Sequence, residues 1–196
     1  MDNLYQVLKL WHVLSFVFMS IPLFNLIVVN ERALMGSSFI YGADSYMENI
    51  IRHGASRCYV FQLSVFISGI LLLVYSSAGI QTIFTNQIML IKTSLLFVLM
   101  GLLSYVHFSL QPKIDSFFKD ITAETKVPDN FLATVKPLRV LRKNMATVCL
   151  FLVITTIILG MQVYVVFSWQ LNLILIGFAA LFAYRVNKTL ILFGWI

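Results

Sequence analysis

The side chains in this sequence that could do chemistry are few: three histidines, eight methionines and two cysteines, set among long apolar runs. His12 follows Lys9-Leu10-Trp11 at the start of the first run, and Lys92 opens the third. Counting back from the far ends of those runs at about 1.5 Å per helical residue puts both at one depth. The same count brings Tyr75, Met161 and Gln162 to that level. A neutral imidazole ligates haem iron or a metal ion, and Met sulfur is the usual alternative axial ligand. A basic side chain beside a haem edge can hold a propionate. One candidate site is therefore His12, Lys92, Met161 and Gln162, with Tyr75 alongside, for haem b or a related tetrapyrrole. With copper as the alternative cofactor, the donors are His12, Met89 and Met161.

His107 lies about 22 Å along the third run from Lys92, too far to share that site. Its depth partners are His53 and Arg57, which gives an alternative inner site of His53, His107 and Arg57. Each of these residues also has an ordinary use. His12 beside Trp11 suits a membrane interface, Lys92 can snorkel outward, and Gln162 can hydrogen-bond a neighbouring helix. Cys58 and Cys149 read as small core residues. The sequence has no Gly-rich phosphate loop, CxxC, CxxCH, HExxH or GxSxG, and no carboxylate inside an apolar run. Nucleotide hydrolysis, covalent c-type haem, common hydrolase chemistry and proton transport through a mid-membrane acid are thereby set aside. No catalytic residue is named.

The elements that must position these groups are membrane helices. Of 196 residues, 60% are apolar, 14 are Lys or Arg and 8 are Asp or Glu, and the mean hydropathy is +0.90. Water-soluble domains carry about a quarter charged residues, so a soluble globule is excluded. A spanning helix needs about 20 mostly apolar residues. Five stretches answer to that, at about 4–29, 57–78, 89–110, 145–167 and 169–192, within a single integral membrane domain. The first is too long to be a cleaved signal peptide and is expected to remain. In the fifth, Arg185 and Lys188 are expected to snorkel from inside a full span. The predicted fold is an all-α polytopic bundle of five transmembrane helices with a four-helix core.

Basic residues fall unevenly about these spans. Lys9 and Lys92 lie on one side; the other twelve, Arg32, Arg52, Arg57, Lys113, Lys119, Lys126, Lys136, Arg139, Arg142, Lys143, Arg185 and Lys188, lie on the opposite side. The positive-inside rule then predicts an N-out, C-in topology. Loops 30–56 and 111–144 become cytoplasmic. The net charge of +6 points to anionic lipid headgroups rather than nucleic acid. Ser45-x-x-Glu48 is a capping-box pattern and Asp44 another candidate cap, which predicts a helix start near Tyr46. Short amphipathic surface helices are expected within Gln111 to Asn144, Lys113 to Lys126 being the best candidate.

At Lys9-Leu10-Trp11-His12 and at Lys92 the chain resembles the small membrane proteins around HemJ-type protoporphyrinogen oxidase and the CopD-like copper-resistance group. Leu138-x-x-Leu141-Arg142, at the entry to the fourth span, is similar in style. The likeness runs over about residues 4 to 165. It departs at Met89-Leu90-Ile91, where the group has a tryptophan-containing pattern, in its longer loops, and in the added fifth span. The resemblance implies a four-helix bundle with a b-type haem or porphyrin site, or copper handling.

Three functions follow as expectations. The first is a membrane redox protein or subunit binding haem b or a related tetrapyrrole, within an electron-transfer or haem-related system. The second is a non-catalytic accessory subunit of a larger membrane complex, and the third is copper uptake or transfer at the outer face. Other membrane subunits or further copies of the chain are the expected partners. The expected location is a bacterial inner membrane or an organellar inner membrane.

Overall fold

The protein was analysed as a computed structural model that describes residues 2–32, 40–77, 79–119, 121, 130–162, 165 and 167–188. All regular elements among them are helical: α1 (Asp2–Arg32), α2 (Tyr41–Tyr75), α3 (Thr82–Thr85), α4 (Gln87–Tyr105), a π-helical turn (Val106–Leu110), α5 (Gln111–Phe118), α6 (Phe131–Met161) and α7 (Trp169–Lys188). With α4, the π turn and α5 taken as one rod, five helices are long and apolar enough to cross a membrane. Helices are what such sequences must form, because hydrocarbon offers backbone N–H and C=O groups no partner except one another.

Local sequence sets several helix ends. Asn86 caps α4, its side-chain oxygen accepting from the N–H groups of Ile88 (2.9 Å) and Met89 (3.3 Å), as short polar side chains do at helix starts. The start of α2 departs from the capping-box expectation. It begins at Tyr41, five residues before Tyr46, and the Asp44 carboxylate accepts from the Ile40 N–H at 3.1 Å. Glu48 plays no capping part, because it faces α6 and its arginines.

The segment expected to hold surface helices is largely rod. After the π turn α5 carries the third span on to Phe118, and α6 starts at Phe131, so both spans extend well past their apolar ends. Lys126 lies outside the described residues. At its other end α6 stops at Met161, short of residue 167. Arg185 and Lys188 occupy the last turn of α7; residues 189–196, Trp195 among them, lie outside the described residues.

Packing follows from which faces are apolar and small. α1 lies against α2 and α6, α4 against α6 and more sparsely α2, and α7 against α6. Met19, Cys58, Leu99, Cys149 and Val153 meet in the central layer. Ile27, Leu150 and Val186 join α1, α6 and α7. Leu110, Ile114 and Val135 close the layer between α5 and α6. The bundle thus has a His12 end, where α1 begins, and a basic end, where α2 and α6 carry their charged extensions.

Candidate functional site

At the His12 end, a serine and a glycine on α2 set how the His12 ring lies. Ser68 on α2 is 2% exposed and lies 2.9 Å from His12 Nδ1. Its hydroxyl carries one proton and donates it to the Ser64 carbonyl at 2.5 Å. With that proton so placed, Ser68 Oγ accepts from His12 in the tautomer protonated on Nδ1, which leaves the lone pair on Nε2; the ring also interacts with the Val65 backbone. Gly69 makes the approach possible: a Cβ there would stand 3.3 Å from His12 Cε1, closer than side chains tolerate without giving way.

Lys92 reaches inward from α4 to α6. A Cβ at Gly160 would stand 3.6 Å from its Nζ. The ammonium is within electrostatic reach of the His12 ring. It has no ion pair or hydrogen bond among the described residues. An imidazole with a free nitrogen lone pair and a cation with no counter-charge therefore share the interior at this end.

The rest of the predicted outer set is arranged differently. Gln162 is committed elsewhere, because its Nε2 donates to Asn172 Oδ1 on α7 at 2.5 Å. Met161 and Tyr75 are 48% and 52% exposed and belong to the outer surface. Met89 lies half-buried in the first turn of α4. His12 and Lys92 are the pair that turns inward; Gln162 serves the joint between α6 and α7.

The predicted inner set is not assembled as a ligand cluster. His53 is exposed, and its Nδ1–H donates to the Asn49 carbonyl of its own helix at 2.9 Å. Arg57 is exposed. His107 sits in the π turn with its ring edge-on to Tyr59 and Phe108, at centroid distances of 5.7 and 4.9 Å. Its Nδ1 is buried without a hydrogen-bond partner. Among the described residues no group of three or more His, Cys, Asp or Glu side chains is placed to hold a metal ion.

The basic end holds an ion-pair network that joins the capping candidates Asp44 and Glu48 to Arg139 and Arg142. Arg139 donates from Nη1 to Asp44 Oδ1 (2.8 Å) and from Nε to Glu48 Oε1 (2.9 Å). Arg142 donates from Nη1 to Glu48 Oε2 and to Gln111 Oε1, both at 2.6 Å. Gln111 Nε2 in turn donates to Glu48 (3.2 Å) and Asp115 (3.0 Å). Asp44, Glu48, Gln111, Arg139 and Arg142 are all at most 5% exposed. Outside them, Arg52 pairs with Asp115 at 2.9 Å.

Glu48 lies on the charged extension of α2, ahead of its apolar run. Burial opposes its charge, yet the hydrogen bond and charge of Arg142, the charge of Arg139 and the Gln111 amide hold its carboxyl below the usual carboxylate range. Two carboxylates face two guanidiniums, so the network is neutral within itself, as buried charges require. A signal for it exists in the sequence. Asp44 and Glu48 are spaced i, i+4, Arg139 and Arg142 i, i+3, and Gln111 and Asp115 i, i+4, so each pair lies on one helical face. Ser68 and Gly69 gave no such signal, because a small polar residue in a span has no period to detect.

No family model, curated protein or solved structure matches the chain.

Proposed function

We propose that this chain is a multi-pass membrane redox protein, or the subunit of one, that binds a b-type haem or related tetrapyrrole at the His12 end. In this reading α1, α2, α4 and α6 form a four-helix core in a bacterial or organellar inner membrane, with the N-terminus outside and the C-terminus in the cytoplasm. The observation that carries the reading is the Nδ1 contact of His12 with Ser68 at 2.9 Å. A ligating histidine characteristically gives its other ring N–H to a fixed acceptor, which sets tautomer and ring angle together.

Lys92 favours a tetrapyrrole over bare copper. An ammonium within electrostatic reach of the imidazole repels a metal cation and attracts a carboxylate, and a porphyrin brings carboxylates with its iron. Gly69 lets the His12 ring lie close against α2. His12 would hold the iron and Lys92 a propionate; the bound group would supply one-electron chemistry. What the chain contributes is ring orientation, charge balance and exclusion of water.

Reduced-minus-oxidised spectra of the purified protein test this. The expected result is a Soret and α band that His12→Ala abolishes or shifts, while His53→Ala and His107→Ala leave it in place. Loss with His53 or His107 alone would move the site to the basic end. Copper bound through His12 would support the transfer function, and neither haem nor copper would leave the accessory-subunit reading.

A further inference from the structure

A second set of chemistry-bearing side chains lies between the two ends, independent of the His12 reading. A cavity of about 30 Å³ sits in the central layer, walled among others by Met19, Cys58, Gln62, Leu99, Arg142 and Cys149. Met19 is fully buried, Cys58 3% exposed, Cys149 6% and Gln62 2%. Both thiols are free, they pack in one cluster with Met19, and they lie within electrostatic reach of each other. Cys58 Sγ has only a weak contact, 3.9 Å to the Met19 carbonyl. Gln62 Oε1 is buried with no hydrogen-bond partner.

We propose that this cavity is a binding site for one cuprous ion, held by the sulfurs of Cys58, Cys149 and Met19, with Gln62 Oε1 turned toward it. Size excludes organic ligands, because a cavity of 30 Å³ holds about one water-sized particle. The donor set selects the ion: two thiolates and a thioether favour soft copper(I) over the harder divalent metals, which take imidazole or oxygen ligands. A water would need two to four polar partners; the Arg142 guanidinium in the wall is already engaged by Glu48 and Gln111, which leaves one amide oxygen and sulfurs that hydrogen-bond weakly.

Charge and protons balance without any redox step. Copper leaves bicinchoninate as Cu(I) and stays Cu(I), the Cys58 and Cys149 thiols each release a proton to the buffer, and three Cu–S bonds form, two to thiolates and one to the neutral Met19 thioether. The site then carries one net negative charge. Arg142 lines the same cavity, its guanidinium shared with Glu48 and Gln111. The ion thus sits between the His12 end and the ion-pair network, a separate place from the outer copper site considered from the sequence.

The test uses the full chain in detergent micelles, without oxygen, titrated with Cu(I) buffered by bicinchoninate. One copper per chain and a sulfur-only nearest shell in X-ray absorption are expected. Cys58→Ser and Cys149→Ser should each weaken binding at least about 100-fold, given that changes behind the ligands alone cost about 10–100-fold. His12→Ala should leave it unchanged. No copper uptake, a nitrogen or oxygen shell, or uptake indifferent to both cysteine variants would overturn the proposal. The absorption measurement is made on the unmodified chain, so it decides the matter even where a serine variant fails to fold.

Discussion

The two ends of the bundle treat buried polar groups in opposite ways. At the basic end, Asp44, Glu48, Gln111, Arg139 and Arg142 are all buried and all engaged, and the charges of the four ionisable groups cancel. At the His12 end, an imidazole is held by one nitrogen, and an ammonium beside it has no counter-charge among the described residues. A closed network of this kind fixes how α2, α5 and α6 sit together, because each partner is needed to neutralise another. An open one has bonding capacity left for a molecule that is not part of the chain. Both ends are rich in polar residues, so polarity alone would not tell them apart; completeness does.

Substitutions can break this contrast, and the largest effect is expected at the closed end. Arg142→Ala leaves Glu48 buried without its main partner and should cost about 3–5 kcal/mol, the usual penalty for orphaning one member of a buried pair. Thermal unfolding in detergent measures it. Replacing Arg142 and Glu48 together by leucine should recover much of the loss. A double variant as unstable as Arg142→Ala would show that the network does more than neutralise itself.

Next in size is the open end. His12→Ala removes the hydrogen bonds to Ser68 and the Val65 backbone, worth about 0.5–1.5 kcal/mol each, so the protein should lose less stability than Arg142→Ala while its tetrapyrrole spectrum disappears. A melting temperature that falls as far as in Arg142→Ala would erase the distinction between the ends. Ser68→Ala keeps the ligand but frees its ring. It should weaken tetrapyrrole binding about 10–100-fold, by analogy with other groups behind a metal-binding histidine, and shift the midpoint potential.

Acid sharpens the comparison further. Glu48 titrates lower in the folded chain than its ordinary value of 4.5, so the folded state binds fewer protons there than the unfolded one. Its contribution is complete above that ordinary value and is lost as the pH falls below it and through the folded pKa. Stability curves of the unmodified protein and of Glu48→Gln should therefore converge at low pH, and parallel curves would contradict the network. The smallest effect belongs to Arg52→Ala. Its pair with Asp115 has a half-exposed arginine and should contribute no more than about 1 kcal/mol.

The five membrane helices were legible because hydrophobic length is a property of each run by itself. The depth of His12 and Lys92 was legible for the same reason, since rise per residue needs no partner. Which groups meet was not. Gln162 reads as a donor near His12 until α7 brings up Asn172, and Ser45-x-x-Glu48 reads as a cap until α6 presents Arg139 and Arg142. Those outcomes depend on how helices rotate about their own axes when packed, and a span whose polar residues are sparse encodes rotation only faintly. Pairs three or four apart, such as Asp44 with Glu48, are where the rotation of the basic end was written.

The π-helical turn at Val106–Leu110 has a consequence for inheritance. Val106, Leu110 and Ile114 are buried at intervals of four residues, a spacing that in a regular helix of 3.6 residues per turn drifts by about 40° at each step. The wider turn absorbs that drift, so one stripe faces the core from the apolar span down to Gln111. A gain or loss of one codon here would swing everything beyond it around the axis and leave the membrane-crossing part as it was. The turn is a phase adjuster between two parts of one rod, a point at which descendants of this sequence can re-aim the Gln111 side chain by length and leave composition alone.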